Sequence, residues 1–197
     1  MARLILIRHG ESVANAQRRF TYGPFEPLTS RGRAEALAIA ALMRARFDPV
    51  ALYASPFVRA LETAQQVGRV LGLLPKTVEE LREQDFGALR GHPYADYIGT
   101  DPAAQGIGRW SHRPPGGETL EEVARRAGAA LHSIARAHLG EEVVVVSHGG
   151  VMAALRGFAA GSFEDAPVPT GNAAGYVLHY REERWSLSDL LAAHAPL

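Results

Sequence analysis

Leu4-Ile5-Leu6-Ile7-Arg8-His9-Gly10-Glu11 is the stretch on which the reading of this chain turns. Its four consecutive aliphatic residues read as a strand buried on both faces, the pattern of a parallel sheet covered by helices. Arg8, His9 and Gly10 then arrive where such a strand must end. In an open α/β sheet ligands bind outside the carboxyl ends of the strands, so a cationic and titratable pair there is placed for chemistry. Val143 to Gly150, VVVVSHGG, repeats the arrangement with four valines, then Ser147, His148 and two glycines. Ala51 to Pro56, ALYASP, is a third such strand and runs directly into a helix whose first turn carries Arg59.

Outward from these strands the chain alternates between β and α patterns. Leu28-Thr29-Ser30 opens a helix in which Ala34, Leu37, Ala38, Ala41, Leu42 and Ala45 share one face, and Asp48-Pro49 stops it. Ser55 is placed to cap the next helix with Pro56 at its first position, and Phe57, Leu61, Ala64, Gly68 and Leu71 form its apolar stripe. Thr77 to Leu81 reads as a short strand or an extended approach to Glu83. Thr119 and Glu122 fit a capping box at the head of a long helix that buries Leu120, Val123, Ala124, Ala127, Leu131 and Ile134. Gly175 to Tyr180 and Trp185 to Leu187 read as an antiparallel hairpin. Between 91 and 117 the periodicity lapses, and this segment is expected to be a lid-like insertion over the site with one short helix. The expectation is a single domain over 1–197 with an α/β fold: a three-layer α/β/α sandwich, a mostly parallel central sheet and a short lid.

Composition bounds the function. With 21 basic and 21 acidic residues there is no net field to draw in nucleic acid or an anionic membrane, so any anion site must be local. The absence of cysteine removes disulfides, thiolate catalysis and thiolate metal sites. The apolar run after Met1 is too short for a signal-peptide core and no later run has membrane-spanning length, so the expected location is cytoplasmic. The eight histidines show no HxH or HExxH spacing, and no metal or other cofactor is expected. There is no phosphate-binding Walker loop, G-x-S-x-G elbow or dinucleotide fingerprint.

Four blocks taken together, RHGE at 8–11 with Asn15, SPFVRALETA at 55–64, LREQDFG at 81–87 and SHGG at 147–150, resemble the histidine phosphatase superfamily, the phosphoglycerate-mutase-like group. They occur in that family's order and span most of the chain. The resemblance implies that His9 is a nucleophile that holds a phosphoryl group transiently, splitting one difficult displacement into two in-line transfers. For that role the ring must be neutral; Arg8 and Arg59 lower its pKa, and a backbone carbonyl can hold the other ring N–H. Arg8 and Arg59 would supply forked donors to the phosphoryl oxygens, with His148 as a further donor in its imidazolium form. Gly10 and Gly149 would let the backbone approach the anion, and Asn15 would donate its amide, although a capping role suits Asn15 equally. Glu83 stands where the family places its general acid and base; by residue type alone Asp85 and Glu80 qualify as well.

Asn172, in PTGNAAGYV, matches an asparagine before the family's last strands, and a turn role is as natural. Tyr22, Arg90, Tyr94 and Arg113, with Phe20, Arg109 and Trp110, are candidates to line the substrate mouth. The segment GPFEPLTSRG departs from the family pattern in the position of its acid, Glu26. The short, weakly basic PPGGET at 114–119 resembles the phosphatase branch, since mutases carry a longer and more basic segment there. The expected function is therefore a metal-independent phosphatase acting on a small phosphorylated substrate. A phosphoglycerate-type mutase and a non-catalytic phospho-ligand binding module are the alternatives, and the chain is a monomer or a homodimer.

Overall fold

In the computed structural model, which describes residues 1–98, 110–162 and 171–190, six strands form one mixed sheet. Its elements in chain order are β1 (Ala2–Arg8), α1 (Val13–Ala16), α2 (Ser30–Arg46), β2 (Ala51–Ala54), α3 (Val58–Leu71), β3 (Pro75–Thr77), α4 (Tyr94–Ile98), α5 (Leu120–Ala137), β4 (Glu142–Ser147), α6 (Gly149–Ala160), β5 (Gly175–Arg181) and β6 (Arg184–Asp189). The sheet order is β3-β2-β4-β1-β5-β6, parallel from β3 to β1 and antiparallel through the final hairpin.

The aliphatic runs are doubly buried, as their composition requires. Leu4 and Leu6 of β1 and Val143 and Val145 of β4 pack beneath α5 and α6. Ile5, Ile7, Val144 and Val146 face the opposite way, onto α2 and α3. Alternation along a strand thus feeds two cores from one run, which is why neither face carries a polar residue. The capping box of Thr119 and Glu122 forms at the head of α5, and all six apolar residues expected on its inner face are buried. No helix of the described residues is long and apolar enough to cross a membrane.

Two expectations about helix faces are corrected. In α2 the buried residues are Gly32, Ala36, Ile39, Ala40 and Met43, whereas Leu37 is 50% exposed and Ala34, Ala38, Ala41 and Ala45 face solvent. The helix carries small apolar residues on every side, so the period locates the helix without deciding its orientation. Bulky Ile39 and Met43 mark the buried side, and Gly32 allows the first turn to press on the end of β1. A Cβ on Gly32 would lie 2.0 Å from the Glu11 carbonyl oxygen, and one on Gly10 would lie 2.2 Å from that of Gly32. In α3, Ala64 and Gly68 of the expected stripe are buried, but beside Ala60, Thr63 and Val67, while Phe57, Leu61 and Leu71 are half-buried and the helix begins at Val58. Ser55 reaches only the N–H of Phe57, at 3.2 Å, because its hydroxyl is turned toward the neighbouring strand end.

Beyond β3 the chain makes a short 3₁₀ turn at Glu79–Leu81 that leads to Glu83, and α4 supplies the short helix expected within 91–117. Arg109 lies outside the described residues. The corrected face of α2 is directly testable. Ala36→Leu, into a site with no exposed surface, is expected to destabilise the fold by about 1–3 kcal/mol through overpacking, whereas Ala34→Leu should stay within about 0.5 kcal/mol of wild type, both read by chemical denaturation.

Candidate active site

Strand register brings the two histidines together. Arg8 is opposite Ser147, and the His9 N–H donates to the Ser147 carbonyl at 3.0 Å. The rings of His9 and His148 consequently stand 5.1 Å apart, edge to face. β4 lies between β1 and β2, so the end of β2 also reaches the site: Ser55 Oγ is 2.7 Å from His148 Nε2.

His9 Nδ1 is 2.7 Å from the Gly10 carbonyl oxygen. A carbonyl only accepts, so Nδ1 carries the hydrogen and Nε2 keeps its lone pair. That lone pair faces the guanidinium of Arg59, whose Nε–H donates to it across 3.2 Å. Burial, then the charges of Arg59 and Arg8, hold the His9 pKa well below the ordinary histidine value, outweighing the Gly10 hydrogen bond that favours the cation. His148 is depressed in the same way, by burial first and then by Arg59, His9, Arg8 and Arg126. Burial, the buried Arg59 and the half-buried Arg8 thus disfavour the imidazolium form of His148.

Arg59, itself 2% exposed, is held from three directions. Its Nη1 donates to Thr21 Oγ1 at 3.3 Å and to the Gly23 carbonyl at 3.2 Å, while one turn along α3 Thr63 donates to the Arg59 carbonyl at 2.8 Å. Thr63 Oγ1 also accepts the Gly10 N–H at 3.2 Å, which ties the carbonyl-bearing residue under His9 to the helix that supplies Arg59. Glu26 braces the same loop, pairing with Arg19 and accepting from Thr21 Oγ1 and the Tyr22 N–H. Although burial is the largest single influence on Glu26 and pushes its pKa upward, the hydrogen bonds from Arg19 and Thr21 bring it below the usual carboxylate value.

Glu83 is the only carboxylate lining the main cavity among the described residues. Glu80 faces solvent, and Asp85 is turned away to accept from the Gly87 N–H and from Arg90. Glu83 Oε1 accepts the N–H of Gln84 at 2.9 Å, and a Cβ on Gly150 would come within 2.7 Å of it, so the second glycine of SHGG makes room for this carboxyl. Arg126 of α5 grips the same segment from behind, donating to the carbonyls of Glu80, Arg82 and Glu83 while both carboxylate oxygens of Glu118 hold its guanidinium. Ser147 Oγ adds a bond to the Leu81 carbonyl at 2.9 Å.

These groups line a cavity of about 680 Å³. Arg8, His9, Asn15, Arg59, Glu83, Tyr94, Gly149 and Asn172 all border it. Asn15 takes the capping role expected of it. Its Oδ1 closes a capping box with Ser12 on α1, leaving Nδ2 to face Tyr94, whose hydroxyl is 3.2 Å away. His148 has no exposed surface and forms the wall behind Gly149. Of the expected mouth residues, Tyr22, Arg90, Trp110 and Arg113 do not line this cavity. Tyr22 and Arg90 border a smaller cleft of about 170 Å³ on the far side of Glu83, where the Tyr22 ring covers Gly91 and Arg90 pairs with Asp85 at 2.7 Å. Arg113 pairs with Glu122 at 2.6 Å on the surface. Gly10 is buried against Gly32, so its missing side chain serves helix packing rather than approach to an anion. Trp110 packs against the core instead of the mouth.

A mostly parallel sheet that gathers two histidines, two arginines and one carboxylate around a single cavity has the layout of a histidine phosphatase. The chain belongs to the histidine phosphatase superfamily, branch 1, whose profile matches residues 4–192. A metal-independent phosphoserine phosphatase from Arabidopsis thaliana is 32% identical over 193 residues, covering 92% of this chain and 78% of its own. A 2,3-bisphosphoglycerate-dependent phosphoglycerate mutase 2 from Gloeobacter violaceus is 32% identical over 163 residues, covering 79% and 74%. Among solved structures, a mycobacterial glucosyl-3-phosphoglycerate phosphatase in complex with VO3 superposes with a TM-score of 0.85 at 28% identity, covering 95% of this chain and 97% of that one.

Both depressed histidines make stability depend on pH. Unfolding releases them to titrate at about 6.5, so below that pH the unfolded chain binds more protons than the folded one. Stability is expected to fall as pH drops beneath 6.5, by up to about 1.4 kcal/mol per pH unit for each histidine. Denaturant unfolding between pH 7.5 and 5.5 measures the slope, and His148→Gln should make it shallower.

Proposed function

We propose that this chain is a phosphomonoesterase that hydrolyses small phosphorylated substrates through a phosphoryl group carried on His9 Nε2, without a metal ion. The observation that carries the reading is the tautomer of His9. Its Nδ1–H is committed to the Gly10 carbonyl, so the unprotonated Nε2 faces the cavity between Arg8 and Arg59. Family membership and phosphatases among the relatives support it.

In the first step Nε2 attacks phosphorus in line as the bond to the leaving oxygen breaks. Arg59 moves its Nε–H from Nε2 to a phosphoryl oxygen, and with Arg8 it balances the charge spread over the transferring group. Glu83, protonated, donates its proton to the leaving alkoxide. In the second step the carboxylate takes a proton from the attacking water, the N–P bond breaks, and phosphate and neutral His9 are regenerated. The arriving anion offsets the arginine charges, which favours protonation of His148 behind the cavity wall.

The test is hydrolysis of an aryl phosphate in excess chelator. Wild type should be unaffected by the chelator, and His9→Ala should lose at least about 10³-fold in kcat/KM. Glu83→Gln should accumulate acid-labile label on His9 from a radiolabelled ester. Chelator-sensitive turnover, or an active His9→Ala, would overturn the proposal; phosphoryl exchange between phosphoglycerates in place of release to water would establish the mutase reading that the Gloeobacter relative raises. Arg126 reaches Glu83 only through its backbone carbonyl. Arg126→Gln is expected to lower kcat by about tenfold with KM within about twofold, measured by steady-state kinetics.

A further inference from the structure

The main cavity has two ends of different character. At the phosphoryl end stand Arg8, Arg59, His9 and Glu83. The other end is an aromatic shelf on which the Phe20 ring lies 4.6 Å from Phe86 and 5.0 Å from Tyr94, with Leu120 closing one side. The polar groups there are neutral. They are the Tyr94 hydroxyl, the Asn15 amide beside it, and Asn172, whose Oδ1 has no hydrogen-bond partner.

Among the described residues, Arg8 and Arg59 are the only cations that line this cavity and Glu83 the only anion. Two guanidinium charges face the two negative charges of a phosphoryl dianion, and no other arginine or lysine among the described residues lines the cavity. Arg19, Arg90 and Arg113, which do not line the cavity, pair with Glu26 at 2.5 Å, Asp85 at 2.7 Å and Glu122 at 2.6 Å. A carboxylate or second phosphate on the leaving group would lose its water against the aromatic rings of the shelf, where no described residue supplies a countercharge. A flat or apolar alcohol would instead cover the shelf, and its hydroxyls would meet the neutral polar groups.

We infer, building on the phosphomonoesterase reading, that the substrates of this site are phosphate esters of uncharged alcohols with an apolar or aromatic face, and that the site discriminates against esters bearing a second anionic group. Phe20, Phe86 and Tyr94 are the residues that set this preference. Phosphoserine, the substrate in the name of the Arabidopsis relative, carries a carboxylate and should be a poor substrate here.

The experiment compares matched esters. Glycerol 3-phosphate and 3-phosphoglycerate differ by the terminal carboxylate, and phenyl phosphate and 4-carboxyphenyl phosphate form an aromatic pair. Within each pair kcat/KM of wild type is expected to be at least about 30-fold lower for the carboxylated ester. Calorimetric binding of the same four esters to His9→Ala, in which the proposed nucleophile is gone, should rank them in the same order. Phe86→Arg, by adding a cation to the shelf, should narrow the gap by about tenfold. If no ester is turned over, the hydrolase reading fails, and calorimetry still decides the specificity. Equal or tighter binding of the carboxylated member in both pairs, or its equal or faster turnover, would overturn the inference.

Discussion

The hydrogen bond from His9 Nδ1–H to the Gly10 carbonyl is the constraint on which the rest of the site depends. It fixes one tautomer and one ring orientation, and so decides which nitrogen confronts the cavity. The bond is only as firm as the carbonyl that accepts it, and that carbonyl is held by close packing. Gly10 and Gly32 approach each other backbone to backbone, and Thr63 takes the Gly10 N–H. The same Thr63 also bonds the carbonyl of Arg59, so the nucleophile candidate and its neighbouring cation share one anchor.

The second organising fact is electrostatic. Burial of the two histidines, beside the buried Arg59 and the half-buried Arg8, favours the neutral form of both imidazoles. Loop 21–26 and α5 meet this cluster from opposite sides. Glu26 and Thr21 steady Arg59 from the front, and Arg126 fastens the segment carrying Glu83 from behind. The relatives include both phosphatases and mutases. In this chain the cavity also carries a shelf of aromatic rings, Phe20, Phe86 and Tyr94.

Much of this was legible from strand ends. Runs such as Leu4 to Ile7 and Val143 to Val146 announce doubly buried strands, and the polar residues that end them are the ones that meet in the site. The long helix was readable because its apolar stripe and capping box agree. The orientation of α2 was not, because alanines on every face leave the period without a direction. Long-range partners left no local trace. Nothing around Arg126 in sequence indicates that it holds Glu83, which is 43 residues away. Thr63, one turn beyond Arg59, had the spacing to be found but no chemical signal of its own. The mouth residues were the least legible, since aromatic and arginine side chains serve equally well as surface cover, as Tyr22, Arg90 and Arg113 do.

The most direct test of the account is the protonation state of the His9 ring, read by long-range ¹H–¹⁵N correlation spectroscopy of labelled protein with His9→Gln for assignment. The account predicts a neutral ring at pH 7 with hydrogen on Nδ1 and the lone pair on Nε2, persisting well below pH 6.5. A ring protonated on Nε2, or an imidazolium at pH 7, would contradict it.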